Sequence, residues 1–216
     1  MKLRISVPLS FLTLALIPGF SEIIDRIAIT VGNQIITYGQ IDDDVRLTAF
    51  LNRDPLELNA EQRKKAADRL IEQTLVRRDM ELSRYPEPTL DEATAALKDI
   101  QARFPSPAQY QQALEQYGIT EEALKRRLWW QMTLMRFIDY RFRPAIQIPD
   151  ADIQAYYRQQ LEKWQKQGNK SIPSLDESRE SIEQILTEQR IDEALDKWLA
   201  ETRTQLTIHY HDEVLQ

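Results

Sequence analysis

The sequence predicts a mainly α-helical protein with a small antiparallel β-sheet made from an N-terminal hairpin and a C-terminal strand. Three observations predict this. Segments with the 3.6-residue spacing of amphipathic helices fill most of the chain. Four Ser/Thr-x-x-Glu/Gln signatures stand at the heads of such segments. Strand-like alternation occurs only near the two chain ends, in IAITVGNQII (27–36) and LTIHYH (206–211). An isolated hairpin is marginal in water, so the C-terminal run is expected to pair with the first strand. The helices between them would then form one unit.

Each element has its own grounds. Ile27, Ile29 and Val31 alternate as a half-buried strand, Gly32-Asn33 makes a two-residue turn, and Gln34 to Ile36 returns. Glycine in the first turn position suits a type II′ hairpin. The first helix opens at Thr37 with Gln40 and runs to about Leu51. The second follows Asn59 and carries the stripe Ala67, Leu70, Ile71, Leu75 and Leu82. The third opens at Thr89 with Glu92, with Ala93, Ala96, Leu97, Ile100 and Phe104 on one side. In the fourth, Ser106 caps, Pro107 takes the first helical position, Gln109 closes the box and Gly118 ends the helix. Its stripe is Tyr110, Ala113, Leu114 and Tyr117. Prolines 86, 88, 105, 107, 144, 149 and 173 all fall at joints, where a ring that cannot continue a helix belongs.

The fifth helix, from Thr120 to about Phe142, is apolar on more than one side. Leu124, Leu128, Met132, Met135 and Ile138 make one stripe, expected to face the core. Trp130, Leu134 and Phe137 make a second, with Trp129 beside them. Such breadth means burial on several sides or an exposed apolar surface. Trp129, Trp130, Met132, Leu134, Met135 and Phe137 are therefore the candidate client-binding residues. Arg126, Arg127, Arg136, Arg141 and Arg143 flank them; they could meet carboxylates of clients or partners, but such charges are more often a solvated face or internal pairs with the chain's many acids. The sixth helix starts near Pro149-Asp150, carries Ile153, Tyr156, Tyr157, Leu161 and Trp164, and stops at Gly168. The seventh opens at Ser174 with Glu177 and runs to about Arg203; its core side includes Ile182, Ile185, Leu186, Ala194, Leu195, Trp198 and Leu199.

Composition narrows the function. The 216 residues begin with basic MKLR, an apolar run and the small-x-small pattern Gly19-Phe20-Ser21, the anatomy of a secretory signal peptide over 1–21. The run is short and broken by Pro8 and Pro18, so a membrane span fits poorly; an uncleaved N-terminal anchor is the alternative. Loss of Lys2 and Arg4 with the leader takes the net charge from −6 to −8. Such an acidic chain has no electrostatic footprint for nucleic acid, and no stable membrane insertion is expected after cleavage. With no cysteine there is neither a disulfide nor a lipoprotein anchor.

Chemistry-bearing patterns are scarce. His209 and His211, two apart on a strand, share one face, but no acid or cysteine in that strand completes a ligand set. Asp42, Asp43 and Asp44 sit in the first turns of a helix, where the dipole favours them, and calcium would need a loop and more oxygens. No Gly-rich phosphate loop, G-x-S-x-G or cysteine nucleophile occurs. No catalytic residue, metal or cofactor is expected, and the chain does not read as an enzyme.

Four stretches carry a resemblance: IDRIAITVGNQIITYGQID (24–42), AADRLIEQTLVRRDMELS (66–83), YGITEEALKRRLWWQMTLMRFI (117–138) and IQIPDADIQAYYRQQLEKW (146–164). In order and spacing they resemble the chaperone module of the SurA-type periplasmic chaperones, relatives of the parvulin-type foldases. The family's turn is usually Asn-Gly; here it is Gly-Asn. Where the family inserts isomerase domains, this chain has only the loop 168–173. The resemblance implies a chaperone domain over 22–216, in two parts (22–167 and 174–216) joined by that loop. It also implies a periplasmic location and ATP-independent holding of unfolded exported polypeptides, outer-membrane protein precursors where an outer membrane exists, without isomerase activity. An exported scaffold for one folded target, or a foldase with residual isomerase activity, remain the alternatives.

Overall fold

A computed structural model describes residues 25–81, 85–168, 171–212 and 215. The leader expected over 1–21, Leu82 of the second stripe and residues 169–170 of the loop lie outside them. The described chain is mainly helical with one small sheet, as the periodicity predicts. Strands β1 (Ile27–Val31) and β2 (Gln34–Thr37) form the hairpin. Then come α1 (Tyr38–Asn52), α2 (Ala60–Glu81), α3 (Leu90–Gln101), α4 (Pro107–Tyr117), α5 (Glu121–Arg141), α6 (Asp150–Lys166), α7 (Leu175–Thr204) and strand β3 (Ile208–Tyr210).

The two chain ends meet as expected. The antiparallel sheet has the order β2-β1-β3, so β1 is central. Thr30 lies opposite Ile35 on one side and His209 on the other. The β1–β3 ladder extends past the formal strand ends, with Gly32 N donating to Thr207 O and His211 N to Ala28 O, both at 2.9 Å. Gly32 adopts φ 59° while Asn33 stays out of the left-handed region, as a type II′ turn requires. The first strand departs from simple alternation. Its register shifts between Ile27 and Ile29, so Ala28 turns inward and Ile27 stays exposed.

Local caps place the helices. The side chains of Thr37, Thr89 and Ser174 each accept from the backbone N–H of the third helical residue, whose own side-chain oxygen accepts from the cap backbone N–H. At Ser106 only the first half forms: the hydroxyl accepts from Gln109 N, and Pro107 follows. Gly118 ends α4 at φ 63°. A side chain there would strike the Arg46 guanidinium, which donates to Tyr117 O.

Among the described residues, three apolar clusters form the interior. The first joins the inner face of the sheet to Ile41 and Val45 of α1, Ala67, Ile71 and Leu75 of α2, and Leu215 near the C-terminus. The second is built by α1, α3, α4 and the first half of α5, around Phe50, Leu97, Leu114 and Leu124. The third gathers Val76 of α2, Trp130 and Phe137 of α5, Phe142 beyond it and Ile191 of α7. By contrast, α6 packs along α7 with few buried residues: Ile153 of α6, and Ser178 and Ile182 of α7 besides Ile191. Tyr156, Tyr157, Leu161 and Trp164 are only half-buried, and Ile185, expected inside, is exposed. Two helices alone cannot enclose a second stripe.

One polar knot crosses this interior. Asp44 of α1 is 3% exposed. Its Oδ2 accepts from Arg69 of α2 at 2.5 Å and its Oδ1 from Arg127 of α5 at 2.5 Å. Thr48, one turn on, accepts weaker bonds from both guanidiniums. The run Asp42 to Asp44 is expected from the sequence to interact with the helix dipole; Asp44 is instead buried between two guanidiniums, on the face it shares with Ile41 and Val45. Asp42 is also paired, with Arg63 at 2.7 Å, and Asp43 alone of the three remains exposed. A buried charge left without its partner is costly.

Asp44→Ala strands two arginines, so it is expected to lower unfolding free energy in urea by about 3–5 kcal/mol. Leu215 is 2% exposed. Leu215→Ala should cost about 2–5 kcal/mol in the same measurement, as for a core leucine. No change would mean that the chain end is not docked in solution.

Candidate functional site

The six residues expected to bind clients do not line one groove. At 100° per residue, Trp130, Leu134 and Phe137 share one side of α5, and Met132 and Met135 lie on another. The first side turns inward. Trp130 is 6% exposed, Phe137 is fully enclosed, and Leu134 packs half-buried against them. Trp129 is half-buried, its indole N–H donating to Pro88 O at 2.9 Å. The second side is the more open one: Met132 is half-buried and Met135 is 66% exposed. This reverses the expectation that the Leu124–Met135 stripe faces the core along its whole length. Leu124 and Leu128 do, but beyond them α5 passes from the second cluster to the third, and the buried side rotates with the change of partners.

The flanking arginines are mostly held by acids or carbonyls. Arg127 is in the knot. Arg136 donates to Glu92 and to the Glu87 carbonyl, Arg141 lies 3.7 Å from Asp79, and Arg143 bridges Asp139 and Glu188. His209 and His211 stack edge to face with ring centres 4.7 Å apart, and His211 Nε2 sits 2.9 Å from Thr30 Oγ1. Among the described residues no three His, Asp or Glu converge as a metal-ligand set.

The structure instead presents a cleft of about 660 Å³ between the hairpin and the C-terminal half of α2. Its apolar part comes from Val31, Ile35, Ile36, Leu70 and Leu206. Amide side chains of Asn33, Gln34, Gln40 and Gln73 supply donors and acceptors. Arg77 and Arg78 contribute two guanidiniums against the single carboxylate of Glu81. The backbone positions these groups. The tight Gly32-Asn33 turn holds β2 against β1, and the first cluster clamps α2 beneath both through Ile71 and Leu75.

Arg77 links this cleft to α5. Its guanidinium carbon lies 4.0 Å from the centre of the Trp130 ring. Desolvation pushes its pKa down from the ordinary arginine value. Trp130, itself 6% exposed, is thus the platform under the Arg77 guanidinium. Nothing in the helical stripes pointed to this cleft. The available signals were the Ile35-Ile36 pair, which puts one isoleucine on each side of a strand, and the Arg77-Arg78 pair next to buried Val76.

A second recess of about 410 Å³ lies beside Tyr38, Arg63 and Leu215. Its charges are satisfied internally. Tyr38 donates its hydroxyl to Asp212, Arg26 stacks over the Tyr38 ring at 4.4 Å, and burial followed by the Asp212 carboxylate pushes the phenol pKa up. Asp212 and Leu215 line it from the C-terminal side. Among the described residues no helix is long and apolar enough to cross a membrane.

Stacking separates the two cleft arginines. Arg77→Ala is expected to lower unfolding free energy by about 0.5–2 kcal/mol, the range of a cation–π contact. Arg78→Ala should stay within about 0.5 kcal/mol of the parent, as surface changes do. Urea titration of both variants checks this, and equal effects would refute the assigned stack.

No protein-family model matches the chain, and the search of curated proteins returns no match.

Proposed function

We propose that this protein is an exported, ATP-independent holding chaperone of the SurA type that acts without prolyl isomerase activity. It acts in the periplasm on unfolded polypeptides, with outer-membrane protein precursors as its natural clients. The observation that carries the reading is the open cleft beside β2, where apolar side chains, amides and guanidiniums are mixed. A holder of unfolded chains must offer contacts that tolerate sequence. Apolar surface engages whatever side chains arrive, and amides match the client's backbone. Exposed Met135 adds a soft, adaptable contact elsewhere on the surface. Binding the unfolded state in preference to the folded one competes with aggregation by mass action and needs no nucleotide.

The test is light scattering with several unrelated clients diluted from denaturant, one of them an outer-membrane barrel precursor. Suppression of aggregation across clients at near-stoichiometric chaperone is the expected result. Suppression of a single client would instead identify a scaffold for one target. Turnover of a proline-containing test peptide would overturn the assignment of a non-enzymatic holder.

A further inference from the structure

The edge of β2 and the two arginines in its cleft together define a more specific site. On β1, Gly32 N bonds to Thr207 O, and Ala28 O accepts from His211 N, so its even-numbered residues turn their backbone towards β3. Thr30, between them, does the same, and its partner across the hairpin is Ile35. In an antiparallel pair, two residues that do not exchange bonds with each other point those groups outward. The Ile35 N–H and C=O therefore face away from β1, along the outer edge of the sheet. The sheet order leaves no strand on that side among the described residues. Natural edges are commonly guarded by lysine, proline or an inward charge. Here the edge residue is isoleucine, 51% exposed, and the cleft opens next to it.

Charge selects the occupant. Neither Arg77 nor Arg78 meets a carboxylate in an ion pair among the described residues, in a chain whose other arginines are largely paired. Arg77 is preorganised over the Trp130 ring and partly desolvated. A guanidinium so placed favours a carboxylate, and Glu81 offsets only one of the two positive charges. We propose that the cleft takes one extended segment of another polypeptide as an added strand on the β2 edge. The segment pairs its backbone with Ile35 and sets an Asp or Glu side chain against Arg77 and Arg78. This rests on the holding function for the source of the segment, but the docking geometry is testable apart from it.

The probe is a fluorescein-labelled ten-residue peptide of alternating Val and Thr with one central Glu and an amidated C-terminus. Its binding is read by fluorescence anisotropy. Saturable binding to the parent protein is expected, about tenfold weaker for the Glu→Gln peptide, as for the loss of one charge-assisted hydrogen bond. Arg77→Gln with Arg78→Gln should remove the difference between the two peptides. Ile35→Pro deletes an outward N–H without touching the β1 ladder, a place where edge strands tolerate proline. It should abolish binding of both peptides while circular dichroism and the urea midpoint stay close to the parent values. If Ile35→Pro proves unfolded, amide exchange at Ile35 in the parent, slowed by added peptide, decides the same point. Equal binding of the Glu and Gln peptides overturns the charge assignment. Binding only when the C-terminus is left as a free carboxylate overturns the side-chain source. A dimer in sedimentation that disappears in Ile35→Pro makes a second copy the occupant and also overturns the proposal. Suppression of client aggregation without any peptide binding would refute this site and leave the holding function standing. Peptide binding without suppression would do the reverse.

Discussion

The rest of the structure depends on β1 being a central strand. A two-stranded hairpin buries too little to hold itself, and the third strand comes from the opposite end of the chain. That pairing turns the sheet into a wall against which α1 and α2 pack, with Ile29, Val31 and Ile36 meeting Ile41, Ile71 and Leu75. Leu215 is then drawn into the same cluster beyond β3. Without the pairing, the first cluster would lose one side and the cleft its fixed geometry, since Leu206 lines it from the approach to β3.

The Asp44 knot works on a different axis. The sheet ties the chain ends together, whereas Asp44 ties α1 to Arg69 of α2, its neighbour in the first cluster, and to Arg127 of α5, its neighbour in the second. Buried ion pairs add little net stability over apolar packing, yet they penalise any arrangement that separates the partners. Arg127 Nε remains buried without an acceptor, so the knot is not fully satisfied. Its contribution reads better as setting helix register than as adding strength.

Much of this fold was legible in the sequence, for physical reasons that differ by element. Caps and prolines act locally, so helix starts at Thr37, Thr89, Thr120 and Ser174 could be read directly. Alternation in LTIHYH implied a strand, and the lack of any other strand-like run named its partner. What escaped was everything set by which neighbour a surface meets. The bulge that turns Ile27 outward, the rotation of the buried side along α5 and the exposure of Ile185 all depend on packing across the chain. The candidate site shifted for the same reason. Aromatic residues on α5 were the visible signal, but bulk and apolarity are what a core also selects. The cleft is built from a strand edge and from Arg77 and Arg78, whose meaning appears only once α2 lies beside the hairpin.

The sheet order also has a consequence in time. β1 and its second partner β3 are separated in sequence by α1 to α7, so the ladder closes across the whole run of helices. Contacts of such separation form late and slow the search for the native state. A chain that emerges N-terminus first can assemble its helices but cannot seal the sheet until residues 207–211 are free. Until that moment β1 itself offers an unsatisfied border, and a nascent or prematurely terminated molecule resembles the very species it is proposed to protect.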